Sequence, residues 1–77
     1  MIGIKKIGDI TFDQDSMFLN VDGKSFQILL DKVSSKLKSA NETQRNFYKI
    51  SPSGYGIHWP LIDEDLSLNL LLKSAQL

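Results

Sequence analysis

Met17-Phe18-Leu19-Asn20-Val21-Asp22-Gly23-Lys24-Ser25-Phe26-Gln27-Ile28-Leu29 is the stretch that decides the fold of this 77-residue chain. At its centre, two apolar-rich runs are separated by the dipeptide Asp22-Gly23. A two-residue Asp-Gly connection adopts a type I′ turn, because both central residues need positive φ, and that turn fixes the register of the strands it joins. Val21 then opposes Lys24, Asn20 opposes Ser25, Leu19 opposes Phe26, Phe18 opposes Gln27 and Met17 opposes Ile28. Side chains alternate along a strand, so Met17, Leu19, Val21, Phe26 and Ile28 share one buried face. The opposite face is polar apart from Phe18.

Toward the N-terminus, Asp13-Gln14-Asp15-Ser16 is a cluster of turn-forming residues. Before it, Ile10 and Phe12 alternate with Asp9, Thr11 and Asp13, the period of a half-buried strand over residues 4–13. Toward the C-terminus the period changes. Leu30, Val33, Leu37 and Ala40 recur at helical spacings, which predicts one amphipathic helix ending near Asn41, followed by a polar connection over residues 42–46. A second hairpin is expected where residues 47–51 and 55–59 flank Pro52-Ser53-Gly54, with Pro60 closing the second strand. Tyr55, Ile57 and Trp59 would face one way, Gly56 and His58 the other. Beyond Asp63-Glu64-Asp65, a leucine-rich segment from Ser67 to Leu77 reads as a second helix. The expected fold class is α+β, one domain over residues 1–77: an antiparallel sheet of about five strands with two helices, in the order βββαββα.

A chain of this length buries roughly 60% of the surface its unfolded form exposes, and with no cysteine it has no disulfide to offset the shortfall. Burial against a partner is one remedy. Nine basic and nine acidic residues cancel, so no net field draws the chain to phosphate or to an anionic membrane. The N-terminal residues lack the apolar core of a secretion signal and no apolar run is long enough to span a bilayer, so a cytoplasmic location is the expectation.

Four stretches carry a family resemblance: Phe18-x-x-Val21-Asp22-Gly23, Phe47-Tyr48, the run from Ile50 to Pro60 containing Gly54-Tyr55-Gly56-Ile57-His58-Trp59-Pro60, and Ile62-Asp63-Glu64-Asp65-Leu66-Ser67. Together they make the chain similar to a widespread bacterial family catalogued as a domain of unknown function. Its short members are described as the antitoxin-like neighbour of a small toxin-like protein. Longer members append a helix-turn-helix segment. This chain stops one helix after the last stretch, with no room for such a segment, which puts DNA binding in doubt.

Asp63-Glu64-Asp65 is the obvious material for chemistry, since clustered carboxylates hold divalent cations or act as an acid/base pair. Carboxylates in the turn before a helix are also favoured by its N-terminal partial charge, with Asp65 or Ser67 as cap. Helix entry is the simpler reading, because the spacing of a calcium loop is absent. Recognition of a partner's arginine is a third. His58, the one histidine, would need carboxylates alone to complete a zinc site and lacks a nucleophile elbow nearby. A contact to a neighbouring carboxylate is its expected role. Trp59, Tyr48 and Tyr55 could stack on nucleobases, but the interleaved cations are missing, and a tryptophan before proline at a strand end reads as a core plug whose indole finds a backbone carbonyl.

The C-terminal helix is apolar around most of its circumference. Leu68, Leu71, Leu72 and Ala75 form one stripe, while Leu66, Leu70 and Leu77 lie off it. The expectation is therefore a non-enzymatic protein-interaction module without cofactor or metal, the resemblance adding an antitoxin role. Its candidate partner-binding residues are Asp63, Glu64, Asp65, Leu66, Leu70 and Leu77, and its partner is a small toxin-like protein or a second copy of itself. The alternative is a regulatory module contacting nucleic acid, which would need a basic patch assembled from Lys5, Lys6, Lys24, Lys32, Lys36 and Lys38.

Overall fold

A computed structural model describes residues 6–52 and 55–76. Its order is β1 (Ile7–Phe12), β2 (Ser16–Val21), β3 (Lys24–Leu29), α1 (Leu30–Val33), α2 (Ser35–Ser39), α3 (Glu42–Asn46), β4 (Lys49–Ile50), β5 (Gly56–Trp59), β6 (Glu64–Ser67), α4 (Leu68–Ser74) and β7 (Ala75–Gln76). The fold is α+β with antiparallel pairing throughout, but the strands form two sheets, β1-β2-β3-β7 and β4-β5-β6, in place of one sheet of five.

The β2–β3 hairpin has the register that the Asp-Gly turn dictates, Val21 opposite Lys24 through to Met17 opposite Ile28. Asp22 and Gly23 both have positive φ, 52° and 84°. Met17, Leu19, Val21 and Ile28 are buried and Phe26 is partly so. Asp22 also anchors the residue that leads into β1: its N–H donates to the Lys6 carbonyl and its side chain accepts the Lys6 N–H. At the β1–β2 turn the Asp13 carboxylate accepts from the N–H groups of Asp15 and Ser16. Ile10 is buried and Phe12 partly so, as the alternation requires. One extra β1 residue between the Ile7–Val21 and Ile10–Leu19 pairs makes a bulge. The first strand's expected start, residues 4 and 5, lies outside the described residues.

The single helix expected after β3 is broken. Leu30 and Leu37 do face the core, but Ser34 is extended, at φ −162° and ψ 107°. Its N–H closes α1 on Leu30, while its hydroxyl oxygen caps α2 by accepting from Leu37 N–H at 3.0 Å. The same hydroxyl donates to the Glu64 carboxylate at 2.5 Å. A serine inside a continuous helix would forgo both roles, so local capping and a partner thirty residues away outweigh one further turn of helix. The supposed polar connection is itself helical, because Asn41 and Gln44 form a reciprocal capping box at the start of α3.

Glu64–Ser67 is a strand, not a helix entry, and the last helix ends at Ser74, after which Ala75 and Gln76 pair with Ile28 and Gln27 of β3. That pairing takes the edge of β3 and separates the second hairpin from the first sheet. Both sheets feed one core: Met17, Leu19 and Ile28 from the first, Ile57, Trp59 and Leu66 from the second, and Leu30, Leu37, Leu68 and Leu71 from the helices. Trp59 is fully buried, and its indole N–H donates to the Arg45 carbonyl at 2.9 Å.

Arg45 is a second tie. Its guanidinium donates to the carbonyls of Leu37 and Lys38 at the end of α2 and to those of Asp13 and Gln14 in the β1–β2 turn, over the Phe12 ring. Arg45→Met should keep the aliphatic stem but strand these acceptors, lowering stability by about 2 kcal/mol in urea denaturation. A variant as stable as the wild type would contradict the role given to this side chain.

Candidate functional site

The small sheet has an inner and an outer face, set by its register. Cross-strand partners share a face, and Ile57 pairs with Leu66, Trp59 with Glu64. These point inward, where Ile57, Trp59 and Leu66 join the core and Glu64 reaches Ser34. The outer face carries a row across all three strands, Lys49 opposite His58 opposite Asp65. His58 Nδ1 lies 2.7 Å from Asp65 Oδ1, so a carboxylate orients the imidazole and, in the neutral ring, leaves Nε2 as an acceptor.

This row belongs to an open depression of about 570 Å³, whose walls include Lys49, Ile50, Tyr55, His58, Asp65 and Ser67. Tyr55 is 77% exposed, against the expectation that it joins Ile57 and Trp59 in the core. It precedes the first strand residue, Gly56, and so escapes the alternation of β5. Gly56 lets the two strands meet at this point, since a Cβ there would lie 2.6 Å from the Leu66 carbonyl oxygen and 3.3 Å from Ser67 Cα. Ser53 and Gly54 of the connecting turn lie outside the described residues.

Most of the acidic run has work inside the fold. Asp63 sits at φ 52° in the turn between β5 and β6, and its carbonyl accepts from Lys36 Nζ. Glu64 accepts from Ser34 and from the Asp65 N–H. Asp65, its side chain 76% exposed, holds His58. Ser67, not Asp65, caps α4 by accepting from Leu70 N–H at 3.1 Å. Leu66 is only 5% exposed, so its placement among surface anchors is corrected: as a β6 residue opposite Ile57 it points into the core. Leu70 is 41% exposed on α4. Leu77 lies outside the described residues.

The nearby serines are also engaged. Ser51 Oγ accepts from the N–H groups of Tyr55 and Gly56, and Ser67 Oγ is the α4 cap. Among the described residues no three His, Asp or Glu side chains gather as a metal site would require. Two of the lysines named for a basic patch are engaged: Lys36 donates to the Asp63 carbonyl, and Lys38 pairs with Asp15 at 3.0 Å and Asp31 at 3.4 Å. The hydrogen bond to Asp15, followed by that to Asp31, holds the Lys38 ammonium's pKa above the ordinary lysine value despite partial desolvation. Lys5 lies outside the described residues. A second depression, of about 430 Å³, lies between Phe12, Asp13, Gln14, Glu42 and Arg45, but its Arg45 wall is committed to the fold.

The expected carboxylate contact of His58 is made by Asp65, whereas the row that this pair forms with Lys49 across the sheet is what sequence reasoning missed. A signal was present, because Asp65 and Ser67 alternate with Leu66 and Leu68; a four-residue turn over residues 60–63 then sets His58 opposite Asp65.

Residues 7–76 match the family described as "Protein of unknown function (DUF2442)", and the chain belongs to that family. No curated protein and no solved structure gives a significant match. Among the described residues, no helix is long and apolar enough to cross a membrane.

Gly56→Ala should force β5 and β6 apart, because the atoms that its Cβ meets are backbone. The expected loss is about 1–3 kcal/mol of unfolding free energy, with the α4 cap loosened in hydrogen exchange. Unchanged stability would show that the sheet yields at no cost.

Proposed function

We propose that this domain is a non-enzymatic protein-interaction module, the antitoxin-like member of a bacterial toxin and antitoxin pair, and that it works through the outer face of β4-β5-β6. One observation carries this reading. Between residues 51 and 67, Ser51, Gly56, Ile57, Trp59, Asp63, Glu64, Leu66 and Ser67 each have a demonstrable task inside the fold. Tyr55, and Asp65 with the His58 that it orients, are turned outward instead, beside Lys49, while Ile50, opposite Ile57 in the register, lies 36% exposed at the rim of the depression. An exposed aromatic next to an apolar depression with a charged rim is the composition of an interaction hot spot.

The engagement of Ser51 and Ser67 as backbone acceptors favours binding over catalysis, because neither is poised as a nucleophile for His58. Leu70 adds a second exposed apolar position, on α4.

Co-expression with the product of the adjacent reading frame should yield a complex that co-elutes on size exclusion and suppresses that product's toxicity. Tyr55→Asp should abolish both while leaving the circular dichroism spectrum intact. Binding that survives Tyr55→Asp would refute the placement, and the absence of any complex would refute the antitoxin role. On α4, Leu71→Asp should unfold the domain by burying an unpaired charge. Leu70→Asp should leave it folded, and unfolding by both would make the whole helix core.

A further inference from the structure

We propose that the outer face of β4-β5-β6 binds a second copy of this chain about a two-fold axis parallel to its strands, an inference that rests on that face being the interaction surface. The row crossing the sheet is cation, imidazole, carboxylate: Lys49, His58, Asp65. Adjacent strands lie about 4.8 Å apart, so the Lys49 and Asp65 backbone positions flank that of His58 at nearly equal distances, with the Asp65 carboxylate turned onto the ring at 2.7 Å. A two-fold axis along the strand direction, midway between two stacked sheets, inverts the row. Lys49 of each copy then stands over Asp65 of the other, and the two His58 rings meet at the axis. The row is its own electrostatic complement, as an isologous interface requires. An axis along the row itself would set lysine over lysine, so charge selects one orientation.

Stacked sheets tolerate a rotation of about 30°. At one strand spacing this displaces each charge by roughly 2–3 Å, which a lysine stem can absorb. Tyr55 stands at the edge of the depression, 77% exposed, and Ile50 lies beside it. Tyr55 directly precedes Gly56 on the central strand, so an axis along that strand brings the two Tyr55 side chains together at one end of the face, where their mutual burial adds apolar area. The formal net charge of zero sets no overall repulsion against association. Three short strands make a small face, so the complex is weak, with a dissociation constant on the order of tens to hundreds of micromolar.

Sedimentation equilibrium on the full chain, up to about 1 mM protein at low ionic strength, tests this. The wild type should show a monomer–dimer equilibrium that raised salt shifts toward monomer, since the paired charges are rim-exposed. Lys49→Asp and Asp65→Lys should each weaken self-association at least about tenfold, because each sets like charges face to face. Mixed together, the two variants should associate with one another, the acidic row on the basic row. Circular dichroism checks that both are folded. If Asp65→Lys is not, the salt dependence and Lys49→Asp decide alone. A wild type that stays monomeric, a dimer indifferent to Lys49→Asp and to salt, or two folded variants that fail to associate would each overturn the proposal. Loss of the adjacent-frame partner in Tyr55→Asp with a monomeric wild type would refute the dimer and leave the interaction module standing. A dimer without any such partner would refute the antitoxin role and leave self-association through this face standing.

Discussion

The Arg45 guanidinium and the Trp59 indole hold together pieces that could not persist alone. Helices of four or five residues are far below the length at which a helix is stable in water, and α1, α2 and α3 are all of that size. Arg45 supplies the donors that the end of α2 lacks, binding the carbonyls of Leu37 and Lys38, and reaches across to Asp13 and Gln14 in the first sheet. Its own carbonyl receives the indole of Trp59 from the second sheet. Three elements distant in sequence thus converge on one residue, and the tryptophan fills the core beside them. In a chain without disulfides, charge-assisted hydrogen bonds to several carbonyls replace the covalent staple that small domains often use.

What the sequence makes legible follows from the range of the forces involved. The β2–β3 hairpin is set by two residues of turn chemistry and by alternation, both local, and its register is as expected at every pair. Trp59 as a core plug with a carbonyl partner, and His58 against a carboxylate, were legible from residue type and position. The break at Ser34 was not, because helical spacing of Leu30, Val33 and Leu37 survives a change of backbone at one residue, and the decisive partner, Glu64, is remote. The number of sheets was illegible for the same reason: the edge of β3 is claimed by Ala75 and Gln76, nearly fifty residues away. The start of α3 is readable as a capping box, but α3 buries no residue and so carries no apolar stripe to mark it as a helix.

The candidate site shows the same division. An acidic run looks like one functional unit in sequence, yet its three members serve a turn, a buried serine and an exposed histidine. Much of the stretch from residue 51 to residue 67 therefore records how two strands approach, turn and hand over to a helix. The outward remainder is small: Tyr55, Leu61 in the turn before β6, and His58 with Asp65, which Lys49 completes as a row across the short sheet. Separating the two sets moves the expected interaction surface from the leucines of the last helix to the outer face of the small sheet, because Leu66 belongs to the core and the C-terminal segment returns to β3.

The central claim, that this outer face is the working surface, is tested most directly by amide chemical-shift mapping of the isotopically labelled protein across a dilution series at low salt. The account predicts concentration-dependent shifts confined to Lys49, Ile50, Tyr55, His58, Asp65 and their immediate neighbours. Shifts centred on Leu70 in α4, or on Lys24 and Lys32 at the other sheet and its following helix, would contradict it.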